Sequence, residues 1–577
     1  MDALTSYVLA AARWALPLLA LWLLLRCVRS MLSERYEPEV WAWLEAADGS
    51  RAALKHWECV IGRARSCDVV VDRPSVARTH AALLRSDGGR WRLYDLSGGR
   101  SANGALRDEG KGLDVHDGDQ LFFADLPMTF HDLDEAQRAS TSETRSVPGT
   151  NVSQSVTLLI LTVFQTLLLL EFTANRSGAD LTYTALGFAV LVLAQWAYYL
   201  LMRGIDRRGF EVETLAFFLC TLGMAVCAAA APGELLKQIL LLLAAMIVFL
   251  FLGVWLRDLR RVKLLRWPAA AAALGFLALN LLAGQTTNGA TNWLSVGGFT
   301  LQPSEFVKIA YVYVGAASLD RLFRRRNLFL FIAFSAICVG ALALMGDFGT
   351  ALIFFVTFLV ISFMRSGSFA TVFLAVAGAA LAVLLVLTVK PYIAQRFAAW
   401  GHVWEDPYSA GWQQTRALSA AAGGGLTGVG PGKGWLHSIF AADTDLVFCL
   451  VSEELGLIVA LCAAGAIAVI VFFAVRAAAR GRSAYYVIAA CAAASMMTVQ
   501  LALNVFGSTD LLPFTGVTFP FVSRGGSSLI SCWALLAFIK AADTRRSASF
   551  SVKLSARGDA DDYEYDERGS EEEAEEE

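Results

Sequence analysis

Charge is scarce in this sequence. Asp, Glu, Lys and Arg make up 17% of its 577 residues, hydrophobic residues make up 56%, and the mean hydropathy is +0.53. A soluble chain of this length has no use for so much apolar sequence, so a fully water-exposed protein is excluded and a membrane protein is expected. Metal-ligand spacing is lacking too. Of the ten cysteines, Cys220, Cys227, Cys338, Cys462, Cys491 and Cys532 lie in apolar runs, and no pair is spaced for zinc, so they read as small hydrophobes. A cleavable leader is not expected either. Asp2 precedes the apolar run Tyr7–Leu25 and Arg26 and Arg29 follow it, the reverse of a secretory signal. Residues 1–31 therefore read as a retained anchor with its N-terminus outside.

The charge that is present lies unevenly. Residues 557–577 hold twelve Asp and Glu against two Arg, so the nominal net charge of −3 conceals about +7 in the rest of the chain. That excess suits anionic lipid, and no nucleic-acid partner is expected. Twelve apolar stretches lie near 155–173, 181–202, 213–231, 235–256, 267–283, 304–319, 327–345, 349–364, 369–389, 446–475, 484–506 and 525–541. If the anchor runs outside to inside, the inner loops carry 21 cations. The outer loops carry six: Arg176, Lys390, Arg396, Arg416, Lys433 and Arg524. Lys and Arg collect on cytoplasmic loops. The expected fold class is mainly α, a polytopic membrane bundle of about 13 spans.

Residues 32–131 are different in character. Short alternating runs such as Trp91-Arg92-Leu93-Tyr94 and Gln120-Leu121-Phe122-Phe123 are separated by turn signals at Asp87-Gly88, Asn103-Gly104 and Asp117-Gly118. They predict a small cytoplasmic β-sandwich. A Ser/Thr-rich linker, 132–153, follows it, and an acidic tail, 542–577, expected to be disordered, ends the chain. Two outer loops stand out: 284–303, rich in Gly, Asn and Thr, and 390–445, which is too long and too aromatic for a simple connection.

Polar groups at membrane depth are costly and mark function. Here Gln302, Ser304, Glu305, Lys308, Asp347, Asp443, Asp445, Glu453, Glu454 and Asn504 gather toward the expected outer face. Glu305 and Lys308 could also simply neutralise each other as an i,i+3 pair. The strings around them resemble the shape, elongation, division and sporulation (SEDS) family, the FtsW/RodA/SpoVE-like proteins. They include the stretch from Gly289 through Trp293 to Gln302-Pro303-Ser304-Glu305-Phe306-Val307-Lys308, then Asp347-Phe348-Gly349-Thr350, then Pro391-Tyr392-Ile393-Ala394-Gln395-Arg396. Trp404-Glu405-Asp406-Pro407, Thr444-Asp445-Leu446, Glu453-Glu454-Leu455-Gly456 and the run from Leu512 to Ser527 complete them. The resemblance covers 213–541 and implies a ten-span core, leaving 155–202 as an added hairpin. Members usually carry Tyr where Arg524 stands, and lack this chain's Met345-Gly346 before Asp347.

The soluble domain resembles a forkhead-associated (FHA) domain, through Gly62-Arg63, Arg78-Thr79-His80 and Asn103-Gly104 in family order. The resemblance implies that Arg63 contacts a phosphothreonine phosphate, Asn103 holds the peptide backbone and His80 supports the loop, with Arg78 in the same site. The usual Ser before the second Arg is Ala77. Linker residues Thr141, Thr144 and Thr150, or a phosphorylated partner, are the expected ligands.

The SEDS resemblance implies a peptidoglycan glycosyltransferase that polymerises lipid II with a class B penicillin-binding protein. A sugar 4-hydroxyl attacks the anomeric carbon of a lipid-pyrophosphate donor, and the pyrophosphate leaves unprotonated. One general base then suffices, unlike the carboxylate pair of glycosidases. Asp445 is the expected base. Arg396 and Lys308 are expected to face the pyrophosphate, Gln302, Glu305 and Trp293 to shape the cavity, and a divalent cation (Mg or Mn) to assist if any cofactor does. Two other readings stand beside it: a lipid II flippase, and a scaffold that recruits phosphoproteins.

Overall fold

The computed structural model describes residues 3–550 apart from 98–111, 138–145, 148–151, 320–324, 381–399 and gaps of one or two residues. Asn103, Arg396, the three linker threonines, most of the expected span 369–389 and the acidic tail from 551 onward lie outside the described residues. The chain forms two units, a helical one from Met1–Glu34 and Gly149–Ser551 and a β one within Arg35–Pro148.

The helical unit contains α1 (Ala3–Ser33), α2 (Gln154–Thr173), α3 (Gly178–Gly204), α4 (Glu211–Ala230), α5 (Leu235–Trp255), α6 (Leu259–Ala283), α7 (Pro303–Leu319), α8 (Arg325–Leu344), α9 (Phe348–Ser366), α10 (Trp412–Gly424), α11 (Val447–Leu455), α12 (Leu457–Ala478), α13 (Ala484–Ser508) and α14 (Gly526–Ala541). Among the described residues ten helices are long and apolar enough to cross a membrane: α1–α6, α8, α9, α12 and α13. Of the other three spans expected, α7 and α14 are apolar helices of 17 and 16 residues. At about 1.5 Å per residue they fall just short of a bilayer core of about 30 Å. The third is the span 369–389. Helix α4 is apolar on all sides and is buried along its length, so it is the axis of the bundle.

Three expectations need correction. The stretch 446–475 is not one helix, because Gly456, at φ +91°, ends α11 and lets α12 start in a new direction. Loop 284–303 is not irregular. It folds into a three-stranded antiparallel sheet of Gln285–Thr287, Ala290–Val296 and Phe299–Leu301, anchored where Thr291 N–H donates to Met345 O at 2.8 Å. The tail also begins later than 542. Asp543, Thr544, Arg545, Ala548 and Phe550 are buried, and the Phe550 ring packs at a tilt of 60° with its centroid 5.1 Å from that of Phe249 on α5.

Buried charge holds this last segment in place. Arg545 pairs with Asp543 at 2.9 Å and Glu211 at 3.4 Å, and Lys540 pairs with Glu213 at 3.3 Å and Asp543 at 3.6 Å. Burial alone would raise the Asp543 carboxyl, but Arg545 and Lys540 hold it below the usual carboxylate range. Glu211 also accepts from Ser30 of α1 at 2.8 Å and Gln154 of α2 at 3.1 Å. The helices that flank the β unit in sequence are therefore pinned to the start of α4.

The β unit packs a four-stranded sheet, of order Arg51–Leu54, Ala42–Ala46, Leu126–Asp132, Gln120–Phe123, against a five-stranded one of Val69–Val70, Glu58–Gly62, Ala81–Arg85, Trp91–Asp95 and Leu113–Val115. Alternating inward residues, among them Leu44, Ile61, Leu83, Trp91, Phe123 and Phe130, make its core. The linker is not wholly unpaired, since Ser146–Val147 pairs with Arg35–Tyr36.

Candidate active site

Opposite the buried ion pairs, along α4, the bundle opens into a cavity of about 520 Å³. Its wall comes from α5 (Glu234 just before it, Lys237, Gln238, Leu241), the small sheet (Trp293, Thr300, Leu301), Phe306 of α7, residues Phe440, Ala441, Asp443 and Thr444, and Arg524 to Ser527 with Ile530. Its lining combines aromatic and aliphatic groups with a few charged ones, the composition of a site for an amphiphile.

The segment 443–445 is clasped by the segment 512–526. Arg524 N–H donates to Asp443 O at 2.8 Å and its guanidinium pairs with the Asp443 carboxylate. Ser523 Oγ donates to Thr444 O at 2.5 Å. Asn504, buried on α13, donates from Nδ2 to Asp445 O at 3.0 Å and to Val517 O at 2.8 Å, tying both segments to one helix. Gly516 sits at φ +67°, and a Cβ there would lie 3.0 Å from Asp445 Oδ2. Asp445 is half-buried, one residue beyond the cavity-lining Asp443 and Thr444.

Of the expected substrate-binding group, Trp293 lines the cavity and Gln302 is half-buried at the start of α7. Glu305 and Lys308 do form the i,i+3 pair, at 2.8 Å, and both are buried. They are also more than a self-neutralising pair. Lys308 Nζ donates to Gln500 Oε1 at 3.1 Å, Gln500 Nε2 to Thr518 Oγ1 at 2.8 Å, and Thr518 shares a hydrogen with Ser528 at 3.0 Å. A relay of polar groups thus runs from α7 through α13 to the clasp. Glu305 Oε2, Asn504 Oδ1, Thr515 Oγ1 and Asp347 Oδ2 are buried here with hydrogen-bonding capacity left over, a feature that clusters at functional sites. Asp347 caps α9, accepting from Thr350 N–H at 3.0 Å.

Glu453 and Glu454 do not face the cavity. Glu453 accepts from Trp435 N–H at 2.9 Å and Leu436 N–H at 3.0 Å, and Glu454 from Gly432 N–H at 3.0 Å, so both fasten the long loop to the break at Gly456. Arg416 is likewise a loop fastener, donating to Pro407 O at 2.6 Å beneath the Trp412 ring. The sequence reading missed Gln500 and Lys237. Gln500 lies four residues before Asn504, and two amides one turn apart on an apolar helix are a readable signal. Among the described residues no group of three or more His, Cys, Asp or Glu side chains is arranged to hold a metal ion.

In the β unit, Arg63, Arg78 and Thr79 are exposed along one edge, and His80 is buried behind them. Arg63 Nη1 reaches Pro74 O at 3.5 Å, and backbone bonds from Arg63 to Ala77 and from Ala64 to Arg78 hold the two loops side by side. Burial lowers the His80 imidazole from its ordinary value.

These features define a multi-pass membrane protein with a cavity of mixed polar and apolar lining and a separate small β-sandwich. The cell cycle protein model for FtsW, RodA and SpoVE matches residues 217–548, and the FHA domain model matches 59–124. The chain is 29% identical over 322 residues to the peptidoglycan glycosyltransferase RodA of Mycobacterium tuberculosis (strain H37Rv), covering 52% of this chain and 69% of that protein. It is 32% identical over 279 residues to stage V sporulation protein E of Bacillus subtilis (strain 168), covering 46% and 75%. A solved chain from a peptidoglycan synthase complex covers 57% of this chain and 96% of its own, at 27% identity and a TM-score of 0.47. The chain belongs to the FtsW/RodA/SpoVE family of cell cycle proteins and carries an FHA domain.

Proposed function

We infer that the chain is a peptidoglycan glycosyltransferase that polymerises lipid II. The observation that carries this reading is a cavity of about 520 Å³ with apolar, aromatic and two cationic lining residues, next to whose lining residues Asp443 and Thr444 stands Asp445, tied through its main chain to Asn504. The lipid and sugar of the donor suit the aromatic wall, its pyrophosphate suits the cations, and Asp445 takes the proton of the attacking 4-hydroxyl as the anomeric carbon–oxygen bond to pyrophosphate breaks. Partial withdrawal from water strengthens a carboxylate as a base. Lys308, buried against Glu305 and Gln500, acts through the hydrogen-bond relay by holding α7, α13 and the clasp in register. No step is routed through a metal.

The distribution of Lys and Arg supports an orientation with the cavity outward and the FHA domain and C-terminus in the cytoplasm. A cysteine introduced at 420 should then label in intact cells. Labelling only after permeabilisation rejects that orientation. A class B penicillin-binding protein is the proposed partner at the outer face, and a phosphothreonine protein the proposed partner of the FHA domain. The test of the activity is purified protein with lipid II, followed by gel analysis of glycan. Asp445→Asn should cut polymerisation about a hundredfold or more while the protein stays folded. Near-normal rates in that variant would remove Asp445 from the role of base. Movement of lipid II across vesicles with no polymer formed would make the protein a flippase instead.

A further inference from the structure

Arg524, one of the two cations on the cavity wall, forms an ion pair with Asp443, a carboxylate on the same wall. The Arg524 side chain is 35% exposed and that of Asp443 13%, so the guanidinium stands in front and the carboxylate behind it. Only Nε is engaged with Asp443. Among the described residues neither terminal nitrogen of Arg524 makes a hydrogen bond, and Arg524 lines the cavity. The planar fork of a guanidinium matches two oxygens of a phosphate group. The other wall cation, Lys237, is paired with Glu234 at 3.3 Å and is 41% exposed, which leaves Arg524 as the better sheltered charge. Gly525 offers no side chain to cap α14, whose first turn borders the same space and adds its positive end.

We propose that Arg524 receives the pyrophosphate of the lipid-linked donor, and that Asp443 is its resident counter-anion, which a bound donor displaces or shares. This rests on the glycosyltransferase reading for its choice of ligand, but it concerns binding and is measurable without turnover. A cation held by an internal carboxylate stays charged and oriented in the empty cavity, while the carboxylate competes with the incoming phosphates. Removing each partner must therefore act in opposite directions. A pair that only stabilises the loop would make both losses harmful.

The experiment uses the full-length protein in nanodiscs with undecaprenyl pyrophosphate as ligand and undecaprenol, which lacks phosphate, as control. Binding is read from intrinsic tryptophan fluorescence, with Trp293 in the cavity wall. Arg524→Gln should weaken undecaprenyl pyrophosphate binding at least tenfold, and Arg524→Lys should recover part of the loss. Asp443→Asn should tighten binding several-fold, and undecaprenol should not distinguish the variants. Parallel loss in Arg524→Gln and Asp443→Asn, or unchanged binding in Arg524→Gln, overturns the proposal. Failure of the wild-type protein to make glycan would count against the glycosyltransferase reading alone, because the binding comparison does not depend on it.

Discussion

Gly516→Ala tests the clasp around Asp445 without touching a polar group. At φ +67° an alanine costs about 1–2 kcal/mol of backbone strain. Its Cβ would lie 3.0 Å from Asp445 Oδ2, inside ordinary van der Waals contact, so the carboxylate must move by a few tenths of an ångström. A displacement of about 1 Å at a reacting group can cost about a hundredfold, so a smaller shift should cost about tenfold in kcat. If the donor's pyrophosphate and lipid are held by other walls, as proposed, KM for lipid II should change less than twofold. The assay is steady-state polymerisation by the purified protein, with thermal melting in detergent as a fold control. The decisive arm is the double variant. If the alanine acts by moving the base, Gly516→Ala should cost almost nothing further once Asp445 is Asn, because coupled sites are non-additive. An equal loss in both backgrounds, or no loss in either, refutes the reasoning.

Arg545→Ala leaves Glu211 and Asp543 buried with one cation fewer, which should cost about 3–5 kcal/mol, seen as a lowered melting temperature of the solubilised protein. In the β unit, a His80 held below its ordinary value favours the neutral ring in the folded state. Its share of stability is then full above about pH 6.5 and is lost as pH falls below that value toward the folded one. Residues 35–148 should therefore melt earlier at pH 5 than at pH 7, and His80→Gln should flatten the difference. Arg63→Ala should weaken phosphothreonine-peptide binding by the same fragment at least tenfold by calorimetry, with plain peptide unaffected.

Most spans were legible because apolar length is a one-dimensional property, and the bilayer reads it directly. The ends were not. Leu259–Ala283 begins eight residues before the apolar run at 267, because Arg260, Arg261 and Lys263 are compatible with a helix that has left the apolar layer. The sheet at 285–301 was hidden by Gly and Asn, which argued for irregular loop although Thr291, Trp293 and Val296 are residues that favour strands. Residues 542–550 read as the start of a polar tail, since a buried Asp or Arg looks solvent-exposed until its partner, more than 300 residues away at Glu211, is in place.

The site shows the same division more sharply. Six carboxylates, Glu305, Asp347, Asp443, Asp445, Glu453 and Glu454, fell on one expected face by sequence, and nothing in their spacing separates their roles. Their partners do. Glu453 and Glu454 accept from backbone N–H groups of the long loop, Asp347 from the Thr350 N–H at the start of a helix, Glu305 from Lys308, and Asp443 from Arg524. Asp445 is tied through its backbone carbonyl to Asn504, and its carboxylate lies beside Gly516, which has no side chain to crowd it. If Asp445 is the base, as proposed, it must be fixed in place, and the hydrogen bond from Asn504 to its main-chain carbonyl does this without drawing on the carboxylate, whereas an anchor on the carboxylate oxygens themselves would lower its basicity.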